Sequence, residues 1–175
     1  MTKPLAWTAA LAAAMCAAAC APTLDWREFV PEGVDVSVRF PCRPDRVARP
    51  VAIAGTTLQM TMLVCRADDM TFALAFAEVA EPARIGAVLA EMRHNAVRNV
   101  QGVEPLDAPI QVMGMTPSDQ AVRLKVNGHL PDGAAVLEHA AFFTRGLRVY
   151  QATVMGSGPA LDVVETFIGG LKFAG

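Results

Sequence analysis

From Val34 to Phe40, apolar residues alternate with Asp35, Ser37 and Arg39, the period of two expected of a strand with one buried face. Pro41 and Pro44 close that strand. Leu58, Met60, Met62 and Val64 alternate again, and Arg66-Ala67-Asp68-Asp69 predicts a hairpin turn into a third strand, Thr71 to Val79. In that strand Phe72, Leu74 and Phe76 fall on one side and Ala73, Ala75, Ala77 and Val79 on the other. Both faces are apolar, which implies a sheet covered on both sides.

The pattern then changes period. After Pro82, the residues Ile85, Val88, Leu89, Met92, Ala96 and Val100 recur at helical spacing, with Arg84, Glu91, His94 and Arg98 on the polar side. An edge-like, Pro-interrupted stretch, Val103 to Met113, leads to Val122, Leu124 and Val126, with Arg123 and Lys125 expected in solvent. Asn127-Gly128 and Pro131-Asp132-Gly133 bracket a loop before two further strands, Ala134 to Thr144 and Leu147 to Val154. A second helix from about Pro159 places Leu161, Val164, Phe167 and Ile168 inward, stops at Gly169-Gly170, and is followed by a last strand, Leu171 to Phe173. The expected class is α+β: an antiparallel sheet flanked by two helices.

The first residues do not fit this domain. Lys3 is followed by an uncharged run, Leu5 to Ala19, of signal-peptide length and too short to span a bilayer comfortably. Ala17-Ala18-Ala19-Cys20 resembles the lipobox of bacterial lipoproteins, with Ala17 where leucine is usual, and predicts lipidation of Cys20. Cys16 is a second candidate, but bulky Met15 precedes it. Cleavage after Ala21, at Ala19-Cys20-Ala21, is the alternative and would release a soluble periplasmic protein. The division expected is a leader over 1–19, a lipidated tether over 20–33 that docks Trp26 and Phe29 on the body, and one domain over 34–175. Ala21 in place of a retention-type Asp favours the outer membrane.

Cys42 and Cys65 remain, an even number in an oxidising compartment, and are expected to form one disulfide. They lack the C-x-x-C spacing of a redox pair. Removal of Lys3 takes the formal charge from −2 to −3, which argues against nucleic acid as a partner. The one local basic pattern is Arg39, Arg43, Arg46 and Arg49 across a Pro-rich loop, a candidate surface for acidic lipid headgroups or an acidic protein partner.

Catalytic and metal motifs are hard to find. His94, His129 and His139 have no ligand spacing, and Ser37, Ser118 and Ser157 lie outside any G-x-S-x-G turn. Asp68-Asp69 suits a turn better than a cation, and Gly156-Ser157-Gly158 lacks the lysine of a phosphate loop. Met60 and Met62 read as core residues. No cofactor is implied.

The motif Phe40-Pro41-x-x-Pro44 after a strand, the segment Gly146-Leu147-Arg148-Val149-Tyr150, and the terminal Phe167-Ile168-Gly169-Gly170-Leu171-Lys172-Phe173 resemble the PsbP-like superfamily over roughly residues 34 to 173. The resemblance implies an α/β/α sandwich, similar to that superfamily's bacterial periplasmic lipoprotein branch, acting mainly by binding partners. It carries over no functional residue. The expectation is a non-enzymatic envelope lipoprotein, tied to the membrane by its anchor and binding a protein or envelope component. A carrier or sensor with an apolar pocket lined by Phe72, Phe76 or Phe142 is the second reading. An enzyme in which Glu138 and His139 converge in a cleft is the third.

Overall fold

A computed structural model describes residues 24 to 174; the expected leader, Cys16, Cys20 and Gly175 lie outside the described residues. Within them the strands are β1 (Arg27–Phe29), β2 (Val36–Phe40), β3 (Asp45–Ile53), β4 (Thr56–Ala67), β5 (Met70–Glu78), β6 (Val103–Pro109), β7 (Val122–His129), β8 (Ala135–Arg145), β9 (Arg148–Gly156) and β10 (Lys172–Phe173). Helix α1 is Ile85–Asn99, and α2 is Leu161–Val164 continued by a π-helical turn, Glu165–Gly169. None of these helices is long and apolar enough to cross a membrane.

The class is α+β. Seven strands form an antiparallel sheet in the order β3-β4-β5-β9-β8-β7-β6, and β1-β2-β10 form a second, three-stranded sheet. The double-sided apolar pattern of β5 is satisfied by a different cover on each face. Phe72, Leu74 and Phe76 meet Val36, Val38 and Phe40 of the small sheet and Phe167 and Ile168 of the C-terminal helix. Ala77 and Val79 meet Val88, Leu89 and Met92 of α1.

The β4–β5 hairpin turns at Asp68 and Asp69, both in the left-handed region that short polar side chains tolerate. The disulfide Cys42–Cys65 stands as expected, joining the turn after β2 to β4 with Cα atoms 6.0 Å apart. Trp26 docks edge-on against Phe72 at 5.7 Å, whereas Phe29 of β1 stays exposed. The folded body thus includes residues before Val34.

Besides that of Phe29, four expectations require correction. The region 45–53 is an edge strand rather than a loop; Pro50 is accommodated because an edge strand has one row of N–H groups without ladder partners. Asn127-Gly128 is no turn but part of β7, where Gly128 lets the strand pass the Val100 carbonyl at the end of α1. Arg123 is half-buried and pairs with Glu165 at 2.8 Å, so it does not face bulk water. Leu161 is exposed, and only Val164, Phe167 and Ile168 of the second helix are buried. The last strand pairs with β2 in the small sheet and does not extend the main one.

Helix α1 also uses its polar side. Glu91 accepts a hydrogen bond from Ala54 N at 2.6 Å, and Arg84 donates to Ala54 O at 3.3 Å. Together they hold the tip of the β3–β4 hairpin, where Ala54 and Gly55 both take positive φ.

Candidate functional site

The four arginines of the expected basic loop do not form one surface. Arg39 and Arg43 are exposed, the first in β2 and the second in the disulfide-pinned turn. Arg46 and Arg49 are both in β3, opposite Leu63 and Met60 respectively. Three residues apart in a strand, they project to opposite faces of the sheet. Arg46 donates to Glu32 O at 3.2 Å and stands over the Phe76 ring at 5.9 Å, contacts on the small-sheet side. Arg43 lines a cavity of about 430 Å³ with Asp25, Arg27 and Phe40, next to where the described chain begins.

The larger opening is at the other end of β2, a cavity of about 600 Å³. Its construction follows from sheet register. Glu78, Arg148 and Arg145 are cross-strand neighbours on β5, β9 and β8, forming one charged row at the end of the sheet. The next inward row on the same face is Phe76, Tyr150 and Phe143. Tyr150 stacks on Phe143 at 5.1 Å with an interplanar angle of 4°, and Phe173 of β10 packs edge-on against both rings. Asp35, just before β2, closes the opposite wall.

Two ion pairs frame the cavity. Arg145 meets Asp35 at 3.0 Å and Arg148 meets Glu78 at 3.1 Å. Arg145 also donates to Ala174 O and lies over the Phe173 ring, which fixes its guanidinium plane. Tyr150 is 0% exposed, and its hydroxyl has no hydrogen-bond partner among the described residues. Burial pushes the phenol above its ordinary value, while the Arg148 guanidinium beside it pulls it back.

Sequence pattern alone does not assemble this cluster. Its signal was present in Arg145-Gly146-Leu147-Arg148, a tight turn that sets two like charges directly opposite, an arrangement that is destabilising without compensation. The expected aromatic pocket, by contrast, is filled core: Phe72 and Phe142 are fully buried and lie on opposite faces of the sheet, and Phe76 is nearly so.

Glu138 and His139 do not converge. Glu138 is buried on the α1 side, where desolvation raises its carboxyl to about 7 against a weaker opposing effect from Thr153. His139 is buried on the other side with Nε2 unpaired; burial, then Lys125 and Arg123, hold its pKa below the ordinary value. His94 and His129 are exposed, the latter at the end of β7 and not in a loop. Among the described residues no group of three or more His, Cys, Asp and Glu is placed to hold a metal ion.

Comparison of the sequence with protein-family models and with curated proteins gives no match.

Proposed function

We propose that this chain is an exported, lipid-anchored protein of the bacterial envelope that acts by binding a protein partner or an envelope component, in the manner of the PsbP-like superfamily. The observation that carries the reading is the placement of the chain's first described residues. Asp25 N bonds to Pro41 O at 3.0 Å, so Asp25, five positions after Cys20, is held beside the turn pinned by Cys42–Cys65. A tether arriving there would set that end, with Arg43, toward acidic headgroups and leave the opposite end of the sandwich free. The disulfide itself suits an oxidising compartment.

The layered order supports the superfamily reading: a sheet with α1 on one face and the small sheet with the C-terminal helix on the other. Ala21, in place of a retention-type Asp, favours the outer membrane.

Metabolic labelling with palmitate tests the address. The native chain should take up label and fractionate with membranes, and Cys20→Ser should abolish both. Label that survives the substitution, or full-length unprocessed chain in the cytosol, overturns the reading. Crosslinking in intact cells, comparing the native chain with Arg43→Glu plus Arg46→Glu, tests whether the basic edge contributes. Retention of every crosslinked partner by the double variant would remove that edge from the binding surface.

A further inference from the structure

We propose that the cavity walled by Tyr150, Arg145, Arg148, Asp35 and Glu78 is a binding site for a small zwitterion of the amino-acid type, its carboxylate on the guanidinium side and its ammonium on the acid side. Three observations converge. The register sets Arg145 and Arg148 directly opposite one another at the mouth, each guanidinium with an acid of its own, so that two cationic and two anionic groups line one opening. The Tyr150 hydroxyl is buried among these same groups with the Arg148 guanidinium beside it, and since a guanidinium only donates, its O–H is left to donate to an oxyanion held by them. Asp35 and Glu78 each engage one guanidinium nitrogen, Nη1 of Arg145 and Nη2 of Arg148, and keep about half of their surface or more in solvent.

Charge balance selects the ligand class. Two arginines against two carboxylates leave the site neutral, so it would not concentrate a multiply charged anion. A monoanion would exchange one carboxylate for another on a guanidinium and gain no charge pairing. A ligand that brings its own ammonium replaces both members of a displaced pair. Val34 and Leu147 add apolar wall beside the charges, and a volume of about 600 Å³ is in the range of small-molecule sites.

Position argues for a free ligand over a lipid headgroup. Asp35 and Pro41 lie at opposite ends of β2, whose five residues span roughly 17 Å, so the cavity faces away from the proposed tether. This part of the inference rests on the proposed lipid anchor; the chemistry of the cavity does not.

The test is titration calorimetry of the purified full chain with L-leucine, 4-methylpentanoate, which lacks the ammonium, and 3-methylbutylamine, which lacks the carboxylate. Leucine should bind at least tenfold more tightly than either analogue, and Tyr150→Phe, which keeps the ring packing, should weaken it about tenfold. Arg148→Gln should weaken it further, with an unchanged circular dichroism melt confirming that the variant folds. No heat with leucine, equal binding of 4-methylpentanoate, or an unaffected Tyr150→Phe overturns the proposal. Binding to phosphatidylethanolamine vesicles that Tyr150→Phe abolishes, without leucine binding, overturns it in favour of a headgroup. Loss of leucine binding with palmitate label intact defeats this site alone, and loss of label with binding intact defeats the address alone.

Discussion

Glu138 and His139 are consecutive in β8 and therefore project to opposite faces of the seven-stranded sheet, the first under α1 and the second toward the C-terminal helix. Each is buried by a different layer, and the strand between them prevents any shared proton transfer. The two titratable groups are independent features of the core, and their effects are separable by substituting one at a time.

Glu138 should make stability depend on pH in a direction unusual for a carboxylate. Its folded pKa is raised, to about 7 from an ordinary 4.5, so between those values the folded chain keeps a proton that the unfolded chain has released. Stability contributed by the neutral acid is complete below about pH 4.5 and is lost as pH rises to about 7, by up to about 3 kcal/mol. Glu138→Gln stays neutral throughout. Urea unfolding from pH 4.5 to 8 should show the native chain losing stability relative to the variant across that window. Parallel profiles would refute a buried, protonated Glu138.

The Cys42–Cys65 bridge closes a loop across β3 and most of β4, and the chain-entropy model gives it about 3 kcal/mol of stabilisation for that loop length. Cys42→Ser plus Cys65→Ser should lower the unfolding free energy by that order, as should reduction. Amide exchange in β1 should accelerate before exchange in β8 and β9, because β1 is held by β2 and by Trp26 against Phe72, both next to the bridge. Equal unfolding free energies with and without the bridge would show that it constrains nothing.

Most strands and the helix were legible because a period of two or of 3.6 survives wherever one face is buried, as in β2, β4, β5 and α1. What the pattern hides is long-range pairing. β3 has almost no buried side chains, so its residues read as a loop, and only the partner strand β4 makes it a strand. The dipeptide Asn127-Gly128 reads as a turn because glycine is required in turns; here it is required because the end of α1 passes too close for a Cβ. Of the charged row, the Arg145–Arg148 pair is legible in its tight turn, but Glu78, seventy positions away from Arg148 on another strand, is hidden for the same reason.

Glu91 should prove structural despite its place on the polar side of α1. Its carboxylate takes the Ala54 N–H, and Ala54 holds a φ of 48° that a non-glycine residue adopts at a cost of about 1–2 kcal/mol. Glu91→Ala leaves that part-buried N–H without its acceptor and frees the hairpin tip, for a loss of about 1–2 kcal/mol. Ala54→Gly should relieve the backbone and recover part of this in the double variant. Denaturant midpoints of the four proteins measure the coupling; strictly additive losses would mean that Glu91 does not hold the hairpin.

Gly128 should be the least replaceable glycine in the sheet. A Cβ there would sit 2.1 Å from the Val100 carbonyl oxygen, and the adjacent His129 N donates to that same oxygen at 2.6 Å, so neither backbone can retreat without breaking the contact that ends α1. Gly128→Ala should cost about 3 kcal/mol or more as an overpacked site with no flexible side chain to absorb the clash. Gly158→Ala is the matched control, since nothing lies within 4 Å of a Cβ at that position and its change should stay within about 0.5 kcal/mol. Thermal unfolding of the two variants decides the matter: similar melting temperatures would mean that α1 and β7 are not packed backbone to backbone at Val100.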